Sequence, residues 1–246
     1  GGASVFWHKQ TAFRSILNDR FGLLVNYYWQ LKTNYDKLNR LCQASCHSRE
    51  LHAQSNDIIK NPDNYSKIMQ AWGLWYNCHT SILHILNGVV GFQTRTPPKD
   101  RDLAVNLASK KNTLLDKDFI EEKFLNTTIE NRDALWVIEY YDDKDAFLYI
   151  DPPYVDTECG HYAGYSVDDY LALLELLSKI KGKFMLSSFD NEYLNLAVEK
   201  FGWHIERIEQ GSSATGNFGK AKVVRKKVEV LAMNYKLSAN SLDIFR

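Results

Sequence analysis

The stretch Asp151-Pro152-Pro153-Tyr154 constrains this chain more than any other. It follows the apolar run Ala146-Phe147-Leu148-Tyr149-Ile150, which reads as a buried strand ending in a turn. Consecutive prolines cannot continue a central strand, because neither supplies a ladder N–H. The chain must leave the sheet here, with a carboxylate on one side of the proline pair and an aromatic ring on the other. The prolines also fix their φ angles, so the loop has little entropy to lose on binding. A rigid acceptor beside a flat ring suits an aromatic amine: the carboxylate and nearby carbonyls take its hydrogens, and the ring stacks on its base. The alternative is a rigid turn with an acidic edge and no substrate.

The chain opens Gly1-Gly2-Ala3-Ser4-Val5-Phe6, a small-residue turn running into an apolar helical pattern. Such a turn can cradle a ligand, because glycines let the backbone approach and the first helical N–H groups lack partners. A terminal glycine pair alone is a weak signal. Arg14 to Asp19 reads as a short strand ending in a carboxylate. In nucleotide-binding α/β units an acid about 20 residues past the glycine turn takes ribose hydroxyls. Asp19 stands at that position, and it is equally suited to capping the helix that follows.

Phe21 to Lys32 has helical periodicity, and residues from Tyr35 to Asn87 read as mostly helical, with a break at Asn61-Pro62-Asp63-Asn64. The stripe Ile68, Trp72, Trp75, His79, Ile82, Leu83 and Leu86 reads as core, and His79 and His84 as core or surface histidines. Cys42 and Cys46 lie near His47 and His52 in a spacing that fits no zinc pattern, so no metal is expected. Few cysteines in a chain of 246 residues argue for reduced thiols rather than a disulfide scaffold. Gly88 to Thr113 loses periodicity and carries Arg95, Lys99, Arg101, Lys110 and Lys111. It is a basic loop or hairpin, either a nucleic-acid contact or a solvated surface. A formal net charge of zero does not itself encourage a nucleic-acid reading, although local patches can serve.

Periodicity then returns. Asp116 to Leu125 predicts a helix, Thr127 to Asn131 a strand and Ala134 to Tyr141 a helix. Ser166-Val167-Asp168-Asp169 is a capping box that opens a Leu-rich helix to Ile180. Lys183 to Ser188 predicts a buried strand, Asn191 to Phe201 a helix, Trp203 to Ile208 a strand, and Val223 to Tyr235 the last strand. Strands alternating with helices predict an α/β fold with a doubly wound, mostly parallel sheet. The expected organisation is one domain from residues 1–33 and 127–246, interrupted by a helical insertion at 34–126. No apolar run is long enough to span a bilayer, and no signal-peptide pattern is present.

Taken in order, these segments resemble the Dam-like N(6)-adenine DNA methyltransferases, many of them carried by phages and restriction systems. Gly-Gly-Ala-Ser-Val-Phe looks like that family's cofactor loop, and Ile16-Leu17-Asn18-Asp19 like its second-strand acid. Ile129-Glu130-Asn131-Arg132-Asp133 looks like its third cofactor segment, Tyr149-Ile150-Asp151-Pro152-Pro153-Tyr154 like its catalytic motif, and Phe184 to Ser188 like the next strand. The resemblance implies a Rossmann-like fold and S-adenosylmethionine as cofactor, held by Gly1, Gly2, Ala3, Ser4, Asp19, Asn131, Asp133 and Asp151. It implies catalysis by Asp151, Pro152, Pro153 and Tyr154 on an adenine flipped out of double-stranded DNA. The insertion becomes a target-recognition domain, with Arg95, Lys99, Arg101, Lys110 and Lys111 on the DNA. Family members carry a further segment before the glycine loop, including Gly-Gly-Lys and a central strand. The resemblance therefore implies an N-terminally incomplete chain. Two alternatives stand beside this reading: an RNA base methyltransferase, and a DNA-binding relic with impaired cofactor binding. The tail Ser241-Leu242-Asp243-Ile244-Phe245 resembles peptides that dock on sliding clamps, or it folds back on the domain. A monomer or weak dimer in the cytoplasm of a bacterial or phage-infected cell is expected.

Overall fold

The computed structural model describes residues 2–81, 91–92, 116–155, 165–208 and 228–237. The chain divides into two compact units, Gly1–Ala134 and Leu135–Arg246.

In the first unit, α1 (Ser4–His8) leads to β1 (Ser15–Asn18), and then to α2 (Gly22–Thr33), α3 (Tyr35–Ala44), α4 (Arg49–Lys60) and α5 (Lys67–Thr80). A 3₁₀ turn at Pro62–Asn64 separates α4 from α5, where the sequence predicts a break. Next come α6 (Lys117–Leu125), β2 (Thr127–Glu130) and the start of α7 (Ala134–Tyr141). The helix starts follow from capping chemistry. The Ser48 side chain accepts from Glu50 N and Leu51 N ahead of α4, and Asp116 accepts from Asp118 N and Phe119 N ahead of α6. Helices α2 and α4 both pack on α5. The predicted tryptophan stripe is core: Trp72 and Trp75 are buried with Leu38, Ile58 and Tyr76. Gly73 makes the α4–α5 approach possible, because a Cβ there would lie 2.7 Å from Ile58 Cγ2. Strands β1 and β2 pair in parallel from Ser15↔Thr127 to Asn18↔Glu130.

A closed polar ring ties α4 to the end of α5. Ser81 Oγ donates to Asn77 Oδ1 at 3.1 Å, so it accepts from His52 Nε2 at 3.1 Å. Asn77 Nδ2 donates to Asn56 Oδ1 at 2.6 Å, and Asn56 Nδ2 reaches His52 Nδ1 at 3.4 Å. Every donor in the ring meets an acceptor only while Nδ1 carries no proton. Burial holds the His52 pKa below its ordinary value, and Arg49 and His47 push the same way. The unfolded chain takes up a proton near the ordinary value of 6.5 that the folded chain refuses. This contribution to stability is complete above that pH and is lost as the pH falls below it. Urea midpoints should therefore drop between about pH 7.5 and about pH 5.5, and the drop should be smaller in His52→Gln. Equal slopes in both proteins would remove His52 from the account.

In the second unit, α7 leads to β3 (Phe147–Ile150), α8 (Val167–Leu177), β4 (Lys183–Phe189), α9 (Glu192–Phe201), β5 (His204–Ile208) and β6 (Glu229–Met233). The predicted box is present: the Ser166 side chain accepts from Asp169 N, and the Asp169 side chain accepts from Ser166 N. Asn191 caps α9, and Gly202, at φ 68°, ends it. Gly182 sits where a Cβ would lie 2.7 Å from Asp143 O, so the turn into β4 closes only without a side chain.

The sheet order is β3-β4-β6-β5, with β3 parallel to β4 and β6 antiparallel to both its neighbours. Among the described strands of this sheet, β3, β4 and β5 share one direction and β6 alone runs against them. The alternation rule requires a crossover helix between strands, and no described helix lies between β5 and β6. Strand β3 also departs from expectation. It reads as buried, yet Phe147 is 56% and Tyr149 38% exposed. It is the terminal strand of its sheet, hydrogen-bonded to β4 alone among the described strands. Phe184, Leu186, Val230 and Ala232 form the sheet's share of the core, against Leu173, Leu174 and Leu194. No described helix is long and apolar enough to cross a membrane.

Candidate active site

The register of β3 with β4 ends at Ile150↔Leu186. Asp151 is therefore the first residue past the parallel pair, at the carboxyl end of the strands where open α/β sheets bind ligands. Asp151 is exposed and Pro152, Pro153 and Tyr154 are half-buried. Val155 is buried in the core with Tyr170 and Leu173, which pins the far end of the loop.

The Tyr154 ring is fixed by β4. Its Oη lies 3.0 Å from Ser187 Oγ, and its ring meets Phe189 edge-on, with centroids 4.5 Å apart at 60°. Ser187 and Phe189 lie two apart on the strand and so share a face. Ser188, on the other face, bonds Tyr170 Oη at 3.0 Å. Burial pushes the Tyr154 phenol up to about 12, and the negative charges of Asp151 and Glu229 act in the same direction. The ring is thus a neutral phenol at physiological pH. Burial, followed by the charge of Asp151, raises the Tyr149 pKa. Glu229 stands opposite Phe189 in the β4–β6 pairing.

Of the residues predicted for the cofactor, all but Asp151 lie in the first unit. Gly2 and Ala3 adopt left-handed conformations (φ 72° and 57°) just before α1. Trp7 Nε1 donates back to Gly2 O at 3.2 Å, closing the turn. At the ends of β1 and β2, Asn131 Nδ2 donates to Asp19 O at 2.7 Å, so these two predicted residues are neighbours. Asp133 faces Arg20 at 3.5 Å. Asp19 Oδ1 accepts from Phe21 N at 2.7 Å, the capping role open to it from the sequence. Burial raises its pKa, and the Phe21 amide opposes that.

Tyr28, on α2, is 2% exposed, and among the described residues its hydroxyl has no hydrogen-bond partner. The Asp19 charge acts on this hydroxyl and, after burial, raises its pKa. A carboxylate beside an orphaned buried hydroxyl is a donor and acceptor set that fits a polar cofactor. An unsatisfied buried hydroxyl is costly, so Tyr28→Phe should stabilise the ligand-free protein by about 1 kcal/mol. Thermal melts without and with cofactor check this. A lower melting temperature in the ligand-free variant would contradict it.

Gly1, the cations Arg95, Lys99, Arg101, Lys110 and Lys111, and the tail Ser241–Phe245 lie outside the described residues. Among the described residues, no group of three His, Cys, Asp or Glu side chains could hold a metal ion. Sequence reasoning missed Ser187, Phe189 and Glu229 as site residues. The one signal that could have found Ser187 and Phe189 is their spacing of two at the end of a strand expected beside the motif.

A mixed α/β chain that ends a parallel strand pair in a rigid acid and an anchored aromatic ring is an arrangement suited to chemistry on an amine. The particular family follows from comparison. Residues 1–210 match the family model described as D12 class N6 adenine-specific DNA methyltransferase, and the chain belongs to that family. It is an enzyme family dependent on S-adenosylmethionine. A search of curated proteins returned no match to the chain.

Proposed function

We propose that this chain transfers the methyl of S-adenosylmethionine to the exocyclic 6-amino group of an adenine flipped out of double-stranded DNA. The observation that carries the reading is the Tyr154 ring, held by Ser187 and Phe189 beside Asp151 at the carboxyl end of β3. When bound, S-adenosylmethionine supplies an electrophilic methyl group. The chain's own residues present the nucleophile. Tyr154 stacks on the adenine ring and offsets part of the flipping cost, which is about a few kcal/mol. The Asp151 carboxylate and the Pro152 carbonyl accept from the amine, which keeps its lone pair available and aimed. Proline rigidity means the acceptors need no rearrangement when the base arrives.

In this reading Gly2, Ala3, Ser4, Asp19, Asn131 and Asp133 hold the cofactor, with Gly1, and Asp151 contributes its charge. The strands belong to a doubly wound, Rossmann-like sheet. Residues 34–126 form the target-recognition insertion, and Arg95, Lys99, Arg101, Lys110 and Lys111 contact phosphates. The tail Ser241–Phe245 is a candidate ligand for a sliding clamp, and the enzyme works in the cytoplasm of a bacterial or phage-infected cell. The test is a methyl-transfer assay with tritiated S-adenosylmethionine on duplex DNA and on RNA. Label in duplex DNA supports the reading. Label confined to RNA, or in neither, overturns it.

A further inference from the structure

We infer that Ser187 is a positioning residue, whose hydroxyl holds the Tyr154 ring in the plane on which a base stacks. The inference rests on the reading of Asp151 and Tyr154 given above. Tyr154 Oη lies 3.0 Å from Ser187 Oγ, and the ring meets Phe189 edge-on. Ser187 and Phe189 lie two apart on β4, so both rise from the same face of the sheet. Ser187 itself is 9% exposed.

The Tyr154 ring is tethered at its hydroxyl and steadied at its edge by Phe189, which sets the plane on which a base can stack. Ser187 acts on the reaction only through Tyr154.

A double-mutant cycle tests this. Ser187→Ala and Tyr154→Phe delete the same hydrogen bond from opposite ends. Each should lower the single-turnover methyl-transfer rate about tenfold, the upper range for one hydrogen bond, with the KM for DNA nearly unchanged. The double variant should be no slower than the slower single variant. Ser187→Thr, which keeps the hydroxyl, should recover most of the rate. Losses that multiply to about a hundredfold in the double variant would show independent action and overturn the inference. An unchanged rate in Tyr154→Phe would overturn it as well, and that variant leaves the sheet untouched should Ser187→Ala fail to fold. Tyr154→Ala separates the levels. If it is inactive while Tyr154→Phe and Ser187→Ala are normal, only the role of Ser187 falls. If Tyr154→Ala is fully active, the reading of the whole site falls.

Discussion

Asp151→Ala is expected to lower methyl transfer by about 10²–10³-fold, the range for removing one preorganised electrostatic group from a site. Asp151 is exposed at the end of β3 and contributes to no core cluster, so the variant should fold and melt normally. Nor should the loss come from weaker DNA binding. Phosphate contacts supply most of the affinity of a protein for DNA, and Asp151 carries the wrong charge for one. Removing it should leave binding unchanged beyond a small gain from lost repulsion; the expected pattern is a collapsed rate with affinity kept. Asp151→Asn is the sharper variant. It preserves shape and one carbonyl acceptor but removes the charge, so its rate should fall between wild type and Asp151→Ala. Single-turnover rates beside fluorescence-anisotropy titrations on one duplex measure both quantities. Normal turnover in a folded Asp151→Ala protein would reduce Asp151-Pro152-Pro153-Tyr154 to a rigid turn.

Tyr154→Ala comes second in size. It removes a base–aromatic stack of roughly 1–3 kcal/mol. It also leaves Ser187 and Phe189 without the ring they hold. The flipped state should lose most, and 2-aminopurine at the target adenine reports it directly: the fluorescence rise on binding should be strong in wild type and weak in the variant. Tyr154→Phe keeps the stacking face and should keep most of the fluorescence rise, with the smaller rate loss that follows from cutting the tie to Ser187. If Tyr154→Phe and Tyr154→Ala gave the same weak signal, the hydroxyl rather than the ring would carry flipping.

The elements whose ends depend on local chemistry were legible in the sequence. Ser166 and Asp169 form the capping box that their spacing predicts, and Asn191 and Asp116 stand at the helix starts where Asn and Asp belong. The prolines at 152 and 153 end β3 as their missing N–H groups require. What failed was non-local. The reversed direction of β6 depends on which strands it pairs with, and no local pattern in Glu229–Met233 encodes that. The exposure of Phe147 and Tyr149 depends on the place of β3 at the end of its sheet, while their apolar character alone suggests burial.

The site divides in the same way. Asp151 and Tyr154 could be found because a proline pair between an acid and an aromatic ring is rare chemistry. Asp19 and Asn131 are far apart in sequence, and the parallel pairing of β1 with β2 makes them neighbours. Ser187 could not be singled out, because a strand serine has many ordinary uses. Ser188, beside it, has one of these, bonding Tyr170 under α8. Only the pairing of β3 with β4 shows that Ser187 lies next to the loop.

The identity of the methylated nucleoside tests the central claim most directly. Duplex DNA treated with the enzyme and S-adenosylmethionine is digested to nucleosides and separated by mass spectrometry. The account predicts N6-methyldeoxyadenosine as the product, present with wild type and nearly absent with Asp151→Ala. Methyl groups recovered on cytosine instead, or N6-methyldeoxyadenosine formed equally by Asp151→Ala, would contradict it.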